Sequence, residues 1–198
     1  MAGIGHNGGP KRLGRGWQKH CWTRSRAALI GKRMPIEVVR TRIRRARELG
    51  LEYPQYASIL LGSGRDVVGF LFAVDGLQLR LRKRLDMPDA VQDKLRGLER
   101  VSLMGFAPSG EDVEAFRAEV SDVAGVPFVG VAPEAQGPLG WSAARAAVRA
   151  VLDPLKLPSD AVVMIGTRKD EAAMAQAAKM ARFIASAEYF GGAGANSA

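Results

Sequence analysis

Cysteine occurs once in these 198 residues, as Cys21, and histidine twice, as His6 and His20. One cysteine closes no intramolecular disulfide, which fits a reducing compartment. The three side chains fall short of the four ligands of a closed structural zinc site, so no metal is expected. Both histidines stand in the first quarter of the chain, and no Gly-x-Ser-x-Gly elbow is present. Adjacent residues on a helix point about 100° apart. His20 therefore does not face Cys21, and no nucleophile–base pair can be assembled. Long hydrophobic runs are missing as well. The longest, Val67 to Val74, is too short to cross a bilayer, and the opening MAGIGHNGGPKRLGRGW lacks the apolar core of a secretory signal. A cytoplasmic protein without a membrane span is the expectation.

Acidic residues are scarce in one place only. Residues 1–48 hold thirteen Lys and Arg against Glu37 and Glu48, a charge of +11, whereas residues 49–198 hold sixteen basic and eighteen acidic residues, a charge of −2. A solubility surface mixes signs. A one-sided block attracts nucleic acid, another polyanion or an acidic protein partner. Residues 1–16 read as a flexible arm, because glycines without apolar periodicity bury nothing. Gly3 to Gly8 carry the letters G-x-G-x-x-G, but no strand precedes them and Gly9-Pro10 follows, so no dinucleotide cofactor is implied.

Residues 17–62 read as a basic helical segment. Trp17, Cys21 and Ala28 share a helical stripe, and the two tryptophans Trp17 and Trp22 suit docking onto the rest of the chain better than stacking on bases. Met34-Pro35 opens a helix ended by Gly50, with Ile36, Val39, Ile43 and Ala46 as its expected buried stripe. Arg40, Arg44 and Arg47 lie on another face, flanked by Arg42 and Arg45. Like charges at this spacing repel unless an anion relieves them. Lys19, Arg24, Arg26, Arg40, Arg42, Arg44, Arg45 and Arg47 are therefore the candidate nucleic-acid contacts.

Four continuous apolar runs follow, at 67–74, 101–107, 126–132 and 161–166, separated by helical stretches. Uninterrupted β-branched and aromatic runs are strands covered on both faces, and alternation with helices implies parallel crossovers. Residues 63–188 are thus expected to form a Rossmann-like α/β domain, a parallel sheet of at least four strands with helices on both faces, with a flexible tail over 189–198. Leu77, Leu81 and Leu85 predict a helix after the first strand, and the last helix is expected from Glu171 to about Ser186. Ser109 with Asp112, and Thr167 with Asp170, have the form of helix caps.

Any ligand of such a sheet lies outside the strand carboxyl ends. Asp75, Gly76, Ser109, Gly110, Thr167, Arg168 and Lys169 are the candidate ligand-binding positions there, with backbone N–H groups and cations that suit a phosphate. Phe72-Ala73-Val74-Asp75-Gly76-Leu77 and Met164-Ile165-Gly166-Thr167-Arg168-Lys169-Asp170 loosely resemble the first and last motifs of haloacid-dehalogenase-like phosphatases. In that family an aspartate two residues before Asp75 is the nucleophile; here Ala73 occupies the position. Thr167 stands where a carboxylate follows the glycine, and no lysine follows the third run. The resemblance implies a catalytically inactive relative. The chain therefore reads as a non-enzymatic nucleic-acid-binding or regulatory protein, with a small-molecule or nucleotide-binding domain, a degenerate phosphatase-like one included, as the alternative.

Overall fold

A computed structural model describes residues 34–81, 85–135 and 140–191. The arm at 1–16, the stripe from Trp17 to Leu29 and the tail beyond 191 lie outside the described residues. Everything described from Arg42 onward belongs to one compact unit. In chain order the elements are α1 (Ile36–Glu48), α2 (Tyr53–Ser63), β1 (Gly69–Phe72), a 3-10 turn (Val74–Leu77), β2 (Arg80–Leu81), β3 (Leu85–Asp86), α3 (Asp89–Arg96), β4 (Ser102–Ala107) and α4 (Val113–Ala124). There follow β5 (Phe128–Pro133), α5 (Trp141–Leu152), a second 3-10 turn (Ser159–Ala161), β6 (Val162–Gly166), α6 (Lys169–Ala177), β7 (Arg182–Ala185) and α7 (Ser186–Gly191).

Five strands form one parallel sheet in the order β5-β4-β1-β6-β7. The four apolar runs supply four of them; β1, β4 and β6 are buried between helices on both faces, whereas β5, expected to be buried as well, lies at the sheet edge with Phe128 and Ala132 buried and Val129 exposed. Alternation along each strand sorts the core into two layers. Phe70, Phe72, Leu103, Phe128, Val163, Ile165 and Ile184 pack with Ala46, Leu49, Tyr56, Ile59, Val91, Leu95, Phe116 and Val120 of the helices α1 to α4 and the segment joining α1 to α2. Leu71, Met104, Phe106, Ala132, Val162 and Met164 pack with Ala144, Val148, Met174 and Ala175 of α5 and α6.

Three expectations are corrected. The segment after β1 is no helix. A 3-10 turn ends at Gln78, in the left-handed region at φ 54°, and a two-stranded antiparallel hairpin pairs Arg80 with Asp86 and Leu81 with Leu85. Leu77, Leu79 and Leu81 also alternate with period two, and that period won over the period of four. The last helix is interrupted: α6 stops at Ala177, Lys179 turns at φ 54°, and Arg182–Ala185 becomes the fifth strand beside β6. Edge pairing to β6 outweighs the helix propensity of that alanine-rich stretch. The core also passes residue 188, since α7 carries Tyr189 and Phe190 into it; the Tyr189 ring lies 5.2 Å from Phe70, and its hydroxyl donates to the Leu49 carbonyl at 3.1 Å. Of the stripe assigned to α1, Ala46 is buried, Val39 and Ile43 are half-buried, and Ile36 is exposed.

Candidate functional site

With β1 central and chain order running outward to β4 and β5 and then back to β6 and β7, the direction of winding reverses between β1 and β6. A crevice opens at the carboxyl ends of such a pair. Gly76 turns the chain there against β6. A Cβ at this position would lie 2.5 Å from the Ile165 carbonyl oxygen, so only glycine lets the turn pack so closely. The buried Ser186 hydroxyl donates to the Gly76 carbonyl at 2.8 Å and holds the turn from the β7 side.

From β6 comes Arg168, which gathers four carboxylates from three strand ends. Its Nη2 meets Glu134 Oε1 at 2.8 Å and its Nη1 meets Asp75 Oδ2 at 3.5 Å. Its Nε lies 3.2 Å from Asp170 Oδ1 and 3.3 Å from Glu171 Oε1. The hydrogen bond that Arg168 donates to Glu134 raises the guanidinium pKa further above its already high value, against partial desolvation and with help from Glu171 and Asp170.

Glu171 corrects the expected cap. The N-cap is Arg168, and the buried Glu171 carboxylate accepts the Thr167 N–H at 2.7 Å and the Arg168 N–H at 2.8 Å through Oε2. Asp170 does not perform this role. Gly166 makes room for it, since a Cβ there would come within 2.4 Å of Glu171 Oε2. Likewise Asp112, not Ser109, caps α4, accepting the Ala115 N–H at 2.7 Å. The consequence for chemistry is direct. At the start of α6 the Thr167 and Arg168 N–H groups, expected to suit a phosphate, already hold the Glu171 carboxylate, and Arg168 is surrounded by four carboxylates.

The structure brings Asp75, Thr167 and Arg168 together with Glu134, Asp170 and Glu171. Lys169 is exposed beside them. Ser109 Oγ donates to the Glu134 carbonyl at 3.4 Å, and Gly110 follows in the left-handed region at φ 89°. Ala73, at the buried end of β1, has no group that could attack. Glu134, at the carboxyl end of the third apolar run where a ligand is expected, and Glu171 are not among the candidate ligand-binding positions. Glu171 was legible in principle as the third residue after Arg168, the position from which a glutamate reaches back to an N-cap.

On α1 the arginines part ways. Arg45 donates all five of its N–H groups: Nε to Asp66 Oδ2 at 2.8 Å, Nη1 to Glu48 Oε2 and to the Glu99 carbonyl at 3.1 Å each, and Nη2 to the Val67 and Arg100 carbonyls at 2.8 and 3.2 Å. It pins α1 to the segments that enter β1 and β4 and has no donor left for a phosphate. Arg40 pairs with Glu37 at 2.9 Å. Arg42 is half-buried, and Arg44 and Arg47 are exposed; none of these three has an ion-pair partner among the described residues. Lys19, Arg24 and Arg26 lie outside the described residues.

Among the described residues no group of three or more His, Cys, Asp and Glu side chains is placed to hold a metal ion, and no helix is long and apolar enough to cross a membrane. No family model and no curated protein matches this chain. Among solved structures, the core domain of a provisionally assigned phosphoglycolate phosphatase from Streptococcus pneumoniae TIGR4 is similar at 22% identity and a TM-score of 0.40, covering 61% of this chain and 80% of that one.

Proposed function

We propose that this chain is a non-catalytic α/β protein that holds the phosphate backbone of a nucleic acid through the exposed arginine face of α1. Arg44 and Arg47 are the contacts. The observation that carries this reading is their exposure without a carboxylate partner among the described residues, on a helix whose Arg45 is fully engaged. Two guanidiniums three positions apart repel one another until an anion sits between them, and guanidinium geometry matches phosphate in a bidentate way. The surplus of +11 over residues 1–48 extends the attraction.

Fluorescence anisotropy with a labelled DNA duplex tests it. Wild type should bind at physiological salt, and R44Q/R47Q should bind more weakly at an unchanged Tm. Equal binding by the two proteins, or none by wild type while an acidic protein is retained, overturns it.

A second reading keeps the strand ends as a ligand site of a degenerate phosphatase-like domain. The convergence of Asp75, Glu134, Asp170 and Glu171 on Arg168 favours it. With four carboxylates to one guanidinium, the place suits an amine-bearing ligand better than a phosphate monoester. A rise in Tm with nucleotides or polyamines, abolished by Glu134→Gln, would support that reading instead.

A further inference from the structure

Helix α5 carries a second surface that the reading of α1 does not use. Trp141 is 60% exposed, the one exposed aromatic side chain among the described residues. Tyr56, Phe70, Phe72, Phe106, Phe116, Phe128, Tyr189 and Phe190 are all buried. Arg145 and Arg149 follow it at four-residue steps, so the three side chains line one flank of the helix about 6 Å apart. Arg149 is exposed and Arg145 half-buried. Neither has a hydrogen-bond or ion-pair partner among the described residues, and α5 contains no carboxylate from Trp141 to Leu152. The other helices with arginine or lysine each carry Asp or Glu as well. At the start of α5, Gly140 is the N-cap and offers no side-chain cap to the first N–H groups.

We infer that Trp141, Arg145 and Arg149 form a platform for single-stranded nucleic acid. An unpaired base stacks on the indole, and the two guanidiniums take the following phosphates. The partner class follows from the pairing of the two chemistries. Duplex DNA keeps its base faces stacked inside and leaves the indole idle, and an acidic peptide uses the arginines without needing the ring. A flexible single strand uses both, because every base has a π-face and every step a phosphate. The inference rests on the nucleic-acid reading above for its partner class. Its residues stand apart, since α5 packs on the Leu71 layer of the sheet and the Ala46 end of α1 on the Phe70 layer.

The test measures the affinity of the full chain for a short oligothymidylate, for a DNA duplex and for heparin, across wild type, W141A, R145Q/R149Q and R44Q/R47Q. W141A should lose about fivefold or more on oligothymidylate. It should bind duplex and heparin as wild type does. R145Q/R149Q should lower the log-log salt slope on oligothymidylate by about 0.7 for each phosphate contact removed. W141A binding oligothymidylate as tightly as wild type overturns the inference, and so does a loss that is equal on heparin. The two proposals fail separately: an inert W141A beside a weakened R44Q/R47Q removes only the platform, and the reverse pattern removes only the α1 site.

Discussion

Arg168 and Arg44 are the same residue in opposite surroundings. Arg168 stands at the carboxyl end of the sheet with Asp75, Glu134, Asp170 and Glu171 within ion-pair distance. Arg44 stands on an exposed helix face with no carboxylate partner among the described residues. The first guanidinium is consumed as an internal counter-charge. The second is available to an outside anion. Arg45, the next residue after Arg44, shows how sharply placement decides between these fates, because a turn of about 100° takes it from solvent into five hydrogen bonds.

The contrast can be broken most severely at Arg45. Arg45→Ala takes from Glu48 one of its two arginine partners, Arg100 remaining, and leaves the carbonyls of Val67 and Arg100 without the Arg45 donor; the expected loss is about 2–4 kcal/mol of folding stability, read from urea unfolding. Arg44→Ala should change stability by less than about 0.5 kcal/mol. Similar losses for the two would mean that Arg45 is no pin.

The next largest effect concerns the cap of α6. Glu171→Ala removes the acceptor for the Thr167 and Arg168 N–H groups and should cost about 1–2 kcal/mol. Asp170→Ala, which leaves both bonds in place, should cost less than Glu171→Ala in the same thermal melt.

A smaller effect lies in the pH dependence. Hydrogen bonds from Arg100 first and then Arg45 hold the Glu48 carboxyl below its ordinary range. A carboxyl depressed in the folded state stabilises the fold above its unfolded pKa and loses that contribution as pH falls through the folded value. Tm should therefore drop as pH falls below about 4.3, and Glu48→Gln should flatten that part of the profile relative to wild type.

These contrasts also mark what could be read from residues alone. The strands β1, β4, β5 and β6 were legible because continuous runs such as Phe70-Leu71-Phe72 and Val162-Val163-Met164-Ile165 leave no polar face for solvent. Strand β7 was hidden, since four residues, Arg182–Ala185, sit inside a stretch whose alanines also satisfy a helical period. The exposure of Arg44 and Arg47 followed from helical spacing. The engagement of Arg45 did not, because its acceptors Asp66 and the Glu99 carbonyl are 21 and 54 positions away, beyond the reach of any local pattern. Arg168 was legible as a cation at a strand end, but the carboxylates that neutralise it are brought there by folding, with Glu134 arriving from β5 and Asp75 from β1.

The measurement that bears most directly on the account is the salt dependence of duplex DNA binding by wild type and R44Q/R47Q at matched Tm. If both arginines meet phosphates, the slope of log affinity against log salt should fall by about 1.8 in the variant, roughly 0.9 for each contact. An unchanged slope would contradict the account and leave Arg44 and Arg47 as an ordinary solvated face.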